Sequence, residues 1–191
     1  MKIIFASHNQ KKTEEIRSML PIHINLLNLH DLGQTEVIPE EEPTIEGNSA
    51  FKAKWVFEKF GLPCFADDTG LEVLALGGAP GVHSARYAGE NRSDEANMQK
   101  LQENLKPFED RSAQFKTVIT YCAAGFFEQF TGLVKGEIAT EAKGNKGFGY
   151  DPIFCPEGLG RTFAEMELAE KNQYSHRARA FSQLIDFLSK Q

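Results

Sequence analysis

Hydrophobic and polar positions change period several times along the chain, and each period predicts an element. Lys2 to Ala6 is a short apolar run that reads as a buried strand. The polar Ser7-His8-Asn9-Gln10 turn follows, and Lys12 to Leu20 then places Ile16, Met19 and Leu20 at helical i, i+3, i+4 spacing. Ile22, Ile24 and Leu26 alternate with His23 and Asn25, which predicts a second strand over Ile22 to Leu27. Glu40-Glu41-Glu42, held between Pro39 and Pro43, marks a loop. A helix is predicted from Gly47 to Phe60, with Phe51, Trp55 and Phe60 on its apolar face and Gly61 as its stop.

Pro63 to Ala66 reads as a short strand delivering Asp67-Asp68-Thr69-Gly70 at its C-terminal end, and Leu71 to Leu76 as another strand or a short helical turn. Gly77-Gly78-Ala79-Pro80-Gly81 makes a tight connection. Ser93 or Asp94 caps a helix that runs to Leu105. From Ala113 to Ala123, Phe115, Ile119 and Tyr121 alternate with polar positions, while Phe130, Val134 and Ile138 give a partner strand, so the pair predicts a long antiparallel hairpin. Gly144 to Asp151 is a glycine-rich loop, and His176 to Leu188 forms a last helix with Ala178, Phe181, Leu184, Ile185 and Leu188 facing the core. Strands mixed with helices around one hairpin predict an α/β protein with a mixed sheet, in a single domain over 1–191.

Composition narrows the function classes. The formal net charge of −6 argues against broad binding to nucleic acid or an anionic membrane. No apolar run reaches membrane-spanning length and the N-terminal run is too short for a signal peptide, so the expected location is cytoplasmic. Cys64, Cys122 and Cys155 lie far apart without CxxC spacing, so they are expected to be reduced, partly buried small hydrophobes.

Five segments carry candidate chemistry. Ser7-His8-Asn9-Gln10-Lys11-Lys12 sits where a strand turns into a helix, a geometry that suits phosphate; a plain N-cap followed by solvated lysines is the competing reading. Asp67 and Asp68 are adjacent acids whose repulsion a cation such as Mg²⁺ would relieve; an Asp-rich turn competes. One of the three loop glutamates is a candidate third carboxylate. Phe148-Gly149-Tyr150-Asp151 offers a ring to stack on a base and an acid to accept a ring N–H. Lys171, His176 and Arg177 place donors around the start of the last helix, where a cation needs a compensating anion or carbonyl.

Taken together, these segments resemble the inosine triphosphate pyrophosphatase family, whose members hydrolyse non-standard purine nucleoside triphosphates. The resemblance runs through Ser7 to Lys12, Glu40 with Thr44-Ile45-Glu46-Gly47-Asn48 and Lys52, and Ala66 to Leu71. It continues in Gly77 to Gly81 with Ser84-Ala85-Arg86-Tyr87, then Gly147 to Pro152, Glu170-Lys171-Asn172 and Ser175-His176-Arg177. It implies a strongly twisted mixed sheet flanked by helices, in two lobes with a nucleotide cleft between them, and a homodimer. It also implies Mg²⁺-dependent hydrolysis of ITP, dITP and XTP to the monophosphate and pyrophosphate.

By the same resemblance, Ser7, His8, Asn9, Gln10, Lys11 and Lys12 form the triphosphate loop, with Lys52 near the phosphates. Asp68 is proton acceptor and metal ligand, Glu40 a second metal-site acid and Thr69 a substrate contact. Phe148, Gly149, Tyr150, Asp151, Lys171, His176 and Arg177 recognise the nucleotide. The sequence departs from the family pattern at His8, where Gly is frequent, at Gly47, where Glu is common, and at Glu41-Glu42-Pro43, which replaces a small-residue turn. Alternatives are a Maf-like pyrophosphatase of different base preference and a non-catalytic nucleotide-binding module.

Overall fold

A computed structural model describes residues 1–190. The chain forms a mixed α/β fold. Its strands are β1 (Lys2–Phe5), β2 (Asn25–Asn28), β3 (Cys64–Val73), β4 (Pro80–Gly81), β5 (Ser112–Ala123), β6 (Phe126–Ile138) and β7 (Phe154–Pro156). Its helices are α1 (Gln10–Met19), α2 (Ile45–Phe60), α3 (Asp94–Leu105), α4 (Leu168–Tyr174) and α5 (His176–Leu188). The strand order is β2-β1-β3-β5-β6-β7, with β4 against β3. β1 runs parallel to β2 and β3, whereas β4 and β7 are antiparallel to their neighbours, so the sheet is mixed as expected.

Contacts divide the chain into two compact units, each discontinuous in sequence. The first comprises Met1–Asp68, Thr117–Gly132 and the chain from Arg177 onward; the second comprises Thr69–Lys116 and Leu133–His176. Within the first unit, strand alternation builds a core on each sheet face. Ile3, Phe5, Phe65 and Ile119 pack with Ile16 of α1 and Phe181 and Leu184 of α5. Ile4, Ala6, Cys64, Ala66 and Cys122 pack with Ala53 and Val56 of α2. In the second unit Leu71 and Val73 of β3 pack with Leu101 and Leu105 of α3, Phe115, Phe154 and Phe163.

Several expectations shift. Ile22 is fully exposed, and a turn bond from the Ile24 N–H to the Pro21 carbonyl delays β2 to Asn25, where pairing with Lys2 begins. α2 starts at Ile45 rather than Gly47 because the Thr44 side chain accepts the Gly47 N–H and caps the helix. The largest correction concerns β3. It is one ten-residue strand running through Asp67 and Asp68, not a short strand ending at Ala66 with a separate element after it. The segment Leu74–Leu76 is a single 3-10 turn. All three cysteines are free thiols, two buried and Cys155 half-buried. Among the described residues, no helix is long and apolar enough to cross a membrane.

Candidate active site

Side chains of adjacent strand residues point to opposite sheet faces. Since Asp67 and Asp68 both lie within β3, they cannot act as one repelling pair, contrary to the turn-end placement expected from sequence. Asp67 shares the face of Phe65, under α1 and α5, where its Oδ1 meets Lys12 Nζ at 2.9 Å and its Oδ2 meets Arg177 Nε at 3.1 Å. Arg177, 1% exposed, also pairs with the buried Glu15. Asp68 shares the face of Ala66, under α2, where Lys52 Nζ bonds its Oδ1 at 2.9 Å and Glu40 Oε1 at 3.0 Å.

The first unit therefore collects Lys12, Lys52 and Arg177 against Glu15, Glu40, Asp67 and Asp68, one carboxylate in excess. Burial pushes both aspartates toward the neutral form, but their neighbours decide differently. Lys12 and Arg177 hold Asp67 well below the usual carboxylate range in spite of burial. For Asp68 burial wins over Lys52 and Lys12, and with Glu40 also repelling, its carboxyl is raised. Asp67 is thus a fixed anion, and Asp68 is the one of the two suited to take a proton. Burial, reinforced by repulsion from Arg177 and Lys52, lowers the Lys12 ammonium, whereas Asp68 and Glu40 overcome burial to raise Lys52.

The Ser7–Lys12 turn is built by its own polar groups. Ser7 Oγ accepts the Asn9 N–H at 3.1 Å, and Asn9 Oδ1 accepts the Lys12 N–H at 3.1 Å as N-cap of α1. His8 Nε2 lies 2.9 Å from the Gln34 carbonyl oxygen, and His30 Nε2 lies 3.3 Å from the His8 carbonyl oxygen, so this turn is tied to the segment after β2. Gln10 and Lys11 are exposed.

The second unit holds a separate cluster. Asp151 Oδ2 accepts from Lys171 Nζ at 2.6 Å and from the Phe148 N–H at 2.9 Å. This carboxylate lies so close to Gly147 that a Cβ there would stand 2.0 Å from Oδ2, and Gly147 also has φ +72°, so only glycine fits. Lys171 Nζ sits 5.1 Å from the Phe148 ring centre, a cation–π contact. The Gly149 N–H donates to Asp94 at 2.8 Å, and the Tyr150 hydroxyl donates to the Ser84 carbonyl, which makes Tyr150 a packing residue of the loop. His176 stacks on Phe115 with ring centres 4.4 Å apart, and Thr69 is half-buried on β3.

Lys12, Lys52, Glu40 and Asp68 are thus brought into one unit, together with Arg177, while Phe148, Asp151, Lys171 and His176 belong to the other. Sequence reasoning missed Glu15, although its place three residues after Lys12 on α1 puts it on the same helix face. It gave no role to Ser49, and it named Asn48 only within the family pattern and Asp94 only as a helix cap, because their tertiary bonds carry no sequence signature. A cavity of about 1180 Å³ in the second unit, bordered by Arg111, Lys135, Lys143 and Glu157 among others, includes none of the predicted site residues.

Among the described residues, no three His, Cys, Asp or Glu side chains cluster as a self-sufficient metal cage. Two carboxylates sharing one cation position do occur, at Glu40 and Asp68, with the Lys52 ammonium between them. Hard oxygen donors in that number suit Mg²⁺, which keeps its other positions for water and phosphate oxygens.

The fold and site define an α/β protein with a buried carboxylate–ammonium centre beside the start of a helix. A Ham1 family model matches residues 3–187, and the chain belongs to that family. It is 54% identical over 190 residues to a dITP/XTP pyrophosphatase of Christiangramia forsetii, covering 100% of both chains. The Ham1 protein of Staphylococcus aureus superimposes with a TM-score of 0.90 at 40% identity, covering 100% of this chain and 99% of that one. A HAM1 protein of Coxiella burnetii gives 0.91 at 38% identity, with 100% of both chains covered. The resemblance read from the sequence is borne out.

Proposed function

We infer that this Ham1-family chain, a nucleoside-triphosphate pyrophosphatase, hydrolyses non-standard purine nucleotides such as dITP, XTP and ITP with Mg²⁺. The observation that carries the reading is the convergence of Asp68 and Glu40 on the Lys52 ammonium, which puts two carboxylates around one positive charge. Mg²⁺ held by these two residues would neutralise phosphate charge and polarise the phosphoryl oxygens. Asp68 accepts the proton of a water that attacks the α-phosphorus. The bond from the α-phosphorus to the bridging oxygen breaks, and pyrophosphate leaves against the positive charge of Lys12 and Lys52. The Ser7–Lys12 turn meets the phosphates with the N-terminus of α1, where Asn9 is the cap.

In the second unit Phe148 offers its ring to the base, and Asp151 with Lys171 supplies an acceptor and a donor. N–H groups on Lys171 and His176 match a 6-oxo purine and oppose the 6-amino group of adenine, while Arg177 pairs with Asp67 and Glu15 in the first unit. An unpaired buried donor costs about 1–3 kcal/mol, which is roughly 5- to 150-fold discrimination per lost contact.

Purified protein given ITP, XTP, dITP, ATP, GTP or dUTP, with Mg²⁺ or with EDTA, tests the reading. Monophosphate and pyrophosphate are expected from the first three, with ATP turned over at least about 5-fold less well and EDTA abolishing the reaction. Release of orthophosphate and a diphosphate would refute attack at the α-phosphorus. Equal turnover of ATP and ITP would refute the donor argument.

A further inference from the structure

Glu40 lies on the loop before α2, outside any helix or strand, and a loop carboxylate becomes a ligand only if the backbone delivers it. We propose that Asn48 is a positioning residue, whose carboxamide fixes the loop in the register that brings Glu40 to the cation position beside Asp68. This rests on the assignment of Glu40 to the metal. Asn48 is 1% exposed in the first turn of α2. Its Oδ1 accepts the Glu42 N–H at 3.0 Å and its Nδ2 donates to the Glu42 carbonyl at 3.3 Å. The side chain thus pairs with one loop residue as a neighbouring strand would, and the two partners fix which way the amide faces.

Asn48 and Lys52 are four residues apart on one face of α2. That face therefore grips the loop twice, by backbone at Glu42 and by carboxylate at Glu40. The next residue, Ser49, locks the same helix to β3: its Oγ donates to the Ala66 carbonyl at 3.1 Å and shares a 2.8 Å bond with Thr120 Oγ1. Helix, loop acid and the strand bearing Asp68 are thereby held in one frame.

Gly47 supplies the remaining condition. A Cβ on Gly47 would stand 2.9 Å from Glu42 Cβ, 3.0 Å from the capping Thr44 Oγ1 and 3.2 Å from Glu42 Oε2, so Glu42 and the cap both lie close against the helix in space that glycine leaves. Two departures from the family pattern, Glu42 and Gly47, are in this way a single adjustment. Asn48→Ala removes the grip, and Gly47→Ala pushes the loop away while leaving Asn48 intact. Alanine favours the helix, so Gly47→Ala keeps the question open to test even if Asn48→Ala fails to fold.

The experiment titrates Mn²⁺ alone into wild type, Asn48→Ala, Gly47→Ala, Glu40→Gln and the Asn48→Ala/Glu40→Gln double variant, reading binding by calorimetry. Asn48→Ala and Gly47→Ala are each expected to weaken Mn²⁺ binding about 10- to 100-fold. The double variant is expected to bind no more weakly than Glu40→Gln, because Asn48 acts only through Glu40. Affinity within about 2-fold of wild type in both single variants, or a full additional loss in the double variant, would overturn the proposal. Failure of the wild type to bind Mn²⁺ would instead sink the active-site reading beneath it.

Discussion

Asp68→Asn is expected to lower kcat by about 10²–10⁴-fold, the range supplied by a positioned general base, without unfolding the protein. Asparagine keeps the shape and a hydrogen-bond acceptor for Lys52, and Lys52 retains Glu40 at 3.0 Å. What is lost is the proton acceptor and an anionic oxygen at the cation position. Steady-state kinetics with ITP, alongside a circular-dichroism melt, checks both halves. Turnover within a factor of about 10 of wild type would remove Asp68 from its assigned role. The matching Asp67→Asn variant separates the two acids, because Asp67 faces Lys12 and Arg177 on the other side of the sheet and is held as an anion.

For Asp67→Asn the dominant expected effect is on stability. Asp67 is 1% exposed, and removing its charge takes away the carboxylate that Lys12 meets at 2.9 Å and Arg177 at 3.1 Å. Breaking a buried pair from one side costs about 3–5 kcal/mol, a large part of the roughly 5–15 kcal/mol that holds a domain together. Urea unfolding at neutral pH measures it. The pH dependence has a definite sign. Folding lowers the Asp67 pKa from its ordinary 3.8, so its stabilisation is complete above 3.8 and is lost as the pH falls toward the folded-state value. The gap between wild type and Asp67→Asn should therefore narrow as the pH is lowered from about 5 to about 2. A gap below about 1 kcal/mol at neutral pH, or one that does not narrow, would show that Asp67 is not the charged anchor of this cluster.

Hydrophobic periodicity determined α1, the body of α2, the β5–β6 hairpin and α5, because an amphipathic pattern several turns or strand residues long has one compatible fit to a core, and a cap at Ser93 or Asp94 marked the start of α3. The segments Ser7–Lys12, Asp67–Thr69 and Phe148–Asp151 were legible as candidate chemistry for a related reason: polar groups interrupt apolar runs where an element turns or a strand is unusually acidic. The short β4, β7 and α4 were not legible, since elements of two, three and seven residues carry too little pattern to register.

Only the tertiary structure decided what the two aspartates do. Asp-Asp-Thr-Gly has the composition of a turn, and local preference ends the strand at Ala66. Buried partners from distant segments, Lys12, Lys52 and Arg177, satisfy both charges and let β3 continue to Val73. The two-residue period of the strand then sends Asp67 to one face and Asp68 to the other. Identity and order of the site residues are written in the chain. Which acid is a structural anion and which can take a proton depends on charges that become neighbours only after folding.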